Sequence, residues 1–158
     1  MFKNIRWIFK KIGSTDITSL DSNGTLTGAI DTLNNNLFKN TVQLSTYSTS
    51  SSISVPNNTN TNLITITLTP GYYIIKGTSL FTTNGTGNRE IHLSKTSAGI
   101  VVDRYCRGNA VAVSGAGTVV NFTYVEKVTT TTTYYLVALQ NSGSTLTVDG
   151  GLRVIKLT

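Results

Sequence analysis

Acid–base, nucleophilic or metal chemistry in this 158-residue chain would have to come from one histidine, one cysteine and seven carboxylates. His92 and Cys106 are too few for a zinc site, which takes about four nitrogen and sulfur ligands. The carboxylates are Asp16, Asp21, Asp31, Glu90, Asp103, Glu126 and Asp149, and no two have the spacing of a paired general acid and base. No dinucleotide-type or phosphate-cradling glycine loop occurs. A lone cysteine cannot form an intrachain disulfide, and Cys106 is expected as a buried thiol. These residues predict a protein that is not an enzyme and that needs neither cofactor nor metal.

Two clusters remain as candidates for contacts. In Arg89–Lys95, alternation turns Ile91 and Leu93 inward and puts Glu90, His92 and Ser94 on the opposite face. His92 is therefore expected at the surface or at an interface. Asp103-Arg104-Tyr105-Cys106-Arg107 concentrates charge and aromatic surface. Arg and Tyr are enriched where proteins meet partners, so Arg104, Tyr105 and Arg107 are candidate ligand or intersubunit contacts. The sequons at Asn23, Asn57, Asn84 and Asn121 are no more than chance yields in a chain this rich in Asn, Ser and Thr.

Thr, Ser and Asn fill 58 of the 158 positions, and only 13% of residues are charged, about half the usual share. Thr, Val, Ile and Tyr favour strands, and strand signals alternate with turn signals from Thr41 onward. Val42–Tyr47, Leu63–Thr69, Tyr72–Phe81, Glu90–Ser94, Ile100–Cys106, Val111–Val113, Thr118–Val128, Tyr134–Gln140, Leu146–Val148 and Leu152–Leu157 all read as strands. Glu90–Ser94 and Ile100–Cys106 are expected to pair across Ser97-Ala98-Gly99. Eight to ten short strands over residues 41–158 predict an all-β sandwich or jelly roll, forming a head domain.

Residues 1–13 differ from this body. Lys3, Arg6, Lys10 and Lys11 carry four of the six net positive charges, while Phe2, Ile5, Ile8, Phe9 and Ile12 share one helical face. Lys10 and Lys11 interrupt the apolar run that a secretory signal needs. The segment is expected as a basic amphipathic anchor, through Phe2, Lys3, Ile5, Arg6, Phe9, Lys10, Lys11 and Ile12. It would dock on another protein, with a membrane surface as the alternative partner. The remaining body is nearly neutral and lacks the basic face that nucleic acid requires.

In residues 14–40 a polar linker precedes Leu26, Ile30, Leu33 and Leu37, whose spacings of four, three and four make one short coiled-coil seam. About two heptads are not stable alone, so the seam predicts an oligomeric helical stalk, or else a helix capping its own domain. Tyr134–Leu139 and Leu152–Leu157 are apolar on both faces, although one face of a sandwich strand normally meets water. A three-fold axis beside one sheet would cover the second face, which makes Tyr135, Val137, Leu139, Ile155 and Leu157 candidate trimer-interface residues alongside the stalk seam.

Thr69-Pro70-Gly71-Tyr72-Tyr73 with its apolar continuation resembles the Pro-Gly-x-Tyr strand of the trimeric tumour-necrosis-factor-like and complement globular-head jelly rolls. Leu139–Leu152 looks like the last hairpin of the versions on bacteriophage fibres, and Asp16–Leu20 with Gly24–Ile30 is similar to the collar before such heads. The resemblance spans residues 14–158, and a short fibre is expected in place of one with a long N-terminal shaft. It implies a homotrimer on the virion surface, a fibre or decoration protein. The N-terminus would meet capsid or baseplate proteins, and the head a host-surface carbohydrate. The alternative is a membrane-associated trimeric adhesin or tumour-necrosis-factor-like ligand.

Overall fold

The computed structural model describes residues 43–101 and 106–157. Eight strands are formed: β1 (Gln43–Val55), β2 (Thr61–Leu68), β3 (Gly71–Phe81), β4 (Asn88–Ser94), β5 (Arg107–Val111), β6 (Thr118–Val128), β7 (Thr132–Gln140) and β8 (Leu146–Leu157). They build two four-stranded antiparallel sheets, ordered β1-β8-β3-β6 and β2-β7-β4-β5. Only β4 and β5 are both consecutive and paired; every other connection passes from one sheet to the other. That order is the double Greek key of a jelly roll.

Alternation along each strand supplies the core between the sheets. Tyr73, Ile75 and Phe81 from β3, Val120, Phe122 and Val128 from β6, and Leu152 and Val154 from β8 pack within one buried cluster with Ile64, Leu68, Ile91, Leu93 and Leu136 of the opposite sheet. Tyr134 adds a polar link: its hydroxyl donates to Glu126 Oε1 at 2.7 Å, and Lys95 Nζ lies 3.2 Å from the same oxygen. Burial, reinforced by that carboxylate, pushes the Tyr134 phenol well above its ordinary value.

The structure redraws several expected elements. β4 pairs with Arg107–Val111, and Ile100 and Val101 of the expected strand over 100–106 lie outside any strand. Val111 closes β5 and Val113 lies beyond it, so Val111–Val113 forms no strand of its own. Leu146–Val148 and Leu152–Leu157 are one twelve-residue strand. Gly150 and Gly151 look like a break, yet they sit mid-strand where side chains of neighbouring strands press in: a Cβ at Gly150 would lie 2.8 Å from Ser50 Oγ. β1 extends through the serine-rich stretch to Val55, with register shifts between Gln43 and Thr46 and between Ser50 and Ile53.

Candidate functional site

Four loops meet at one end of the sandwich, and side-chain amides tie them together. Asn57 Oδ1 accepts from Gly143 N at 2.8 Å, and Asn84 Nδ2 donates to Ser144 Oγ at 3.1 Å. Asn141 Oδ1 accepts from Asn88 N, and Ala112 N donates to Gly87 O at 2.9 Å. Gly87 has φ +77°, and a Cβ there would run into the Asn141 backbone, so this close approach requires glycine. Beneath the loops Arg89 is 0% exposed; its guanidinium donates to the carbonyls of Asn84, Thr86 and Asn88 at 2.8–3.1 Å. Burial lowers its pKa. The Asn57–Asn60, Asn84–Gly87 and Gly115–Gly117 segments thus share one polar, uncharged tip.

His92 is not at the surface. It is 2% exposed, because Lys95–Val101 folds back across the outer face of the β2-β7-β4-β5 sheet. Asn62 holds that crossover twice, through Ser97 Oγ at 2.6 Å and Ala98 N at 2.7 Å, and Asn60 Nδ2 reaches Gly99 O at 3.1 Å. His92 Nε2 lies 3.0 Å from Gly99 O, so that nitrogen carries the proton, since a carbonyl only accepts. Nδ1 lies 3.0 Å from Glu90 Oε1 without hydrogen-bond alignment. Replacing His92 by Ala is expected to cost about 1–2 kcal/mol through the lost bond and the exposed carbonyl. It should also open the Lys95–Thr96 bond to trypsin. Limited proteolysis followed by mass spectrometry checks this, and unchanged cleavage at Lys95 would show that Asn60 and Asn62 hold the crossover alone.

The crossover also lies over the strand that raised the question of a second burial partner. Val137, paired with both Asn62 and His92, is 0% exposed within a single chain, so it offers a second subunit no surface. Tyr135 and Leu139 flank it, half-buried, on the same outer face. Ile155 and Leu157 lie on the outer face of the other sheet, also half-buried. There they adjoin further apolar residues of β3 and β6. Ile74 is directly opposite both Ile155 and Val125, and Tyr72 is opposite Leu157. Val125 is 61% exposed and Tyr72 48% exposed. The signal was present in Tyr72-Tyr73-Ile74-Ile75, which is apolar on both faces of β3. Lys76 and Arg153, opposite each other, bound this patch on the side toward the loops.

Arg107 is exposed on β5, 3.8 Å from Glu90 Oε2, a partly solvated pair of little energetic weight. Arg104 and Tyr105 lie outside the described residues. So do the anchor residues Phe2, Lys3, Ile5, Arg6, Phe9, Lys10, Lys11 and Ile12 and the seam residues Leu26, Ile30, Leu33 and Leu37. Cys106 is buried, as expected. Among the described residues no group of three His, Cys, Asp or Glu side chains gathers in a metal-binding arrangement.

No protein-family model matches the chain, and no curated protein matches it significantly. Among solved structures, the globular domain of zebrafish complement 1qA protein is similar at 7% identity and a TM-score of 0.49, over 73% of this chain and 98% of that one. The VP2 subviral particle of infectious bursal disease virus is similar at 15% identity and a TM-score of 0.49, over 72% of this chain. This chain spans about a third of that viral chain, 32% of its length. A Bacillus endospore appendage protein, described as forming disulfide-linked pili, is similar at 15% identity and a TM-score of 0.39, over 75% of this chain and 94% of that one.

Proposed function

We propose that the protein is a non-enzymatic trimeric attachment or decoration head, docked to a virion through residues 1–13 and presenting its loop end to a host-surface carbohydrate. The observation that carries this reading is the division of one sheet's outer face. At the end where β1 begins, Gln43 pairs with Lys156, and the apolar patch of Tyr72, Ile74, Val125, Ile155 and Leu157 lies nearby. At the other end are the interlocked, neutral loops. An exposed apolar patch calls for a partner surface, and a second and third copy of the same chain would supply it with closed symmetry. Hydroxyl, amide and backbone groups at the tip suit weak neutral hydrogen bonding, which three copies per head and many heads per particle multiply.

Deletion of residues 1–13 tests the docking half. The truncated head should melt within a few degrees of the full chain and fail to join the particle. A truncated head that still joins would place the anchor elsewhere. Soluble head should displace particles from cells; attachment that is unaffected by soluble head, and by removing the head from the particle, would leave decoration as the role.

A further inference from the structure

Below the loop tip, the outer face of the β1-β8-β3-β6 sheet is indented by a depression of about 430 Å³, a size within the range of small-molecule sites. Its wall comes from three strands and two loops: Ser52 of β1, Leu80 at the end of β3, Thr82 and Thr83 beyond it, Gly117 before β6, and Thr147 and Asp149 of β8. A bulge creates the space. Between Ser50 and Ile53 the β1 ladder with β8 slips, and Ser52 takes a left-handed backbone, φ 56°. That conformation is unusual for a residue with a side chain and marks a local constraint. The Ser52 N–H, freed from the ladder, donates to Asp149 Oδ1 at 2.8 Å. Thr82 and Thr147 close the floor through two bonds: Thr82 N to Thr147 O at 2.9 Å, and Thr147 N to Thr82 Oγ1 at 3.1 Å.

The polar groups that these bonds leave over point to one ligand chemistry. Asp149 keeps Oδ2 as an acceptor, and the hydroxyls of Ser52, Thr83 and Thr147 make no hydrogen bond among the described residues. Leu80, 45% exposed, gives one apolar wall. No basic residue lines the depression, so a carboxylate without a compensating cation would repel an anionic ligand. A carboxylate that accepts from two adjacent hydroxyls, short side-chain hydroxyls around it, and an aliphatic side chain for a C–H face together suit a neutral sugar. We propose that this depression is the saccharide-binding subsite of the head, with Asp149 accepting hydrogen bonds from a vicinal diol and Thr147 and Thr83 setting the ring's orientation. The proposal rests on the carbohydrate-attachment reading above and gives it a location beside the tip loops instead of on them.

Titration of the full chain with glucose, galactose and mannose at millimolar concentration, followed by amide chemical shifts, tests it. At least one sugar should move the amides of Ser52, Thr83 and Thr147. Asp149→Asn keeps the Oδ1 acceptor for Ser52, and Thr147→Val keeps the backbone bond to Thr82, so both variants should fold. Each should weaken the binding about tenfold or more, the loss expected for a hydrogen bond to a charged or buried partner. Sugar-induced shifts confined to Asn57–Asn60 or Asn84–Gly87, unchanged in both variants, would overturn the subsite and leave carbohydrate attachment standing. An absence of shifts with all three sugars, together with no binding of the full chain to an array of oligosaccharides, would overturn both. Calcium chloride alone moving the same amides would overturn the saccharide assignment in favour of a cation.

Discussion

Sedimentation of the Ile155→Asp protein at micromolar concentration is expected to give a folded monomer where the parent chain gives a trimer. Ile155 lies on β8, directly opposite Ile74, which is in turn opposite Val125. In an isolated subunit this position is partly exposed on the outer face, so the new carboxylate keeps part of its water and the sandwich should still form. Between subunits it would be buried without a partner. That costs several kcal/mol per site, and each 1.4 kcal/mol weakens association about tenfold. Val125→Asp should behave alike, since it attacks the same patch from the neighbouring strand. Tyr135→Asp, on the outer face of the opposite sheet, is the control that separates the two faces. A parent chain that sediments as a monomer, or an Ile155→Asp variant that remains trimeric, would remove this patch as the interface.

Arg89→Ala should lower the melting temperature by on the order of 10–20 °C, the shift expected for a loss of about 3–5 kcal/mol in a domain of this size. The guanidinium is wholly buried and has no carboxylate partner among the described residues. Its counter-dipoles are the carbonyls of Asn84, Thr86 and Asn88, which converge on its two terminal nitrogens. Truncation removes three charge-assisted bonds, strands buried carbonyls and leaves a cavity at the end of the core. Arg89→Lys should recover only part of the loss, because an ammonium cannot fork between carbonyls on two sides. Circular dichroism melts measure this directly. An Arg89→Ala protein that melts within about two degrees of the parent would mean that the loop ties of Asn57, Asn84 and Asn141 suffice without the buried cation.

Both results depend on placements that the local pattern of residues does not encode. Alternation in Leu63–Thr69, Tyr72–Phe81 and Thr118–Val128, together with charge-poor, Thr-rich composition, was enough to establish an all-β sandwich and most of its strands. Those signals are local: a pleated strand repeats every two residues whatever lies beside it. Other features required knowing which strands are neighbours. Tyr134–Leu139 is apolar on both faces, and its outer-face Val137 is buried within the subunit; the sequence could not say whether cover for that face comes from another subunit or from the crossover at Lys95–Val101. His92 was read outward from alternation alone, and the same crossover buries it. Asp149-Gly150-Gly151 looks like a turn until β1 and β3 close on both sides of it. Ser52, Thr82 and Asp149 come from chain positions nearly a hundred residues apart, and only the pairing of β8 between β1 and β3, with the bulge at Ser52, brings them to one depression. Such contacts arise from strand order and register, which are set by long-range packing of the two sheets, so tertiary structure alone decided them.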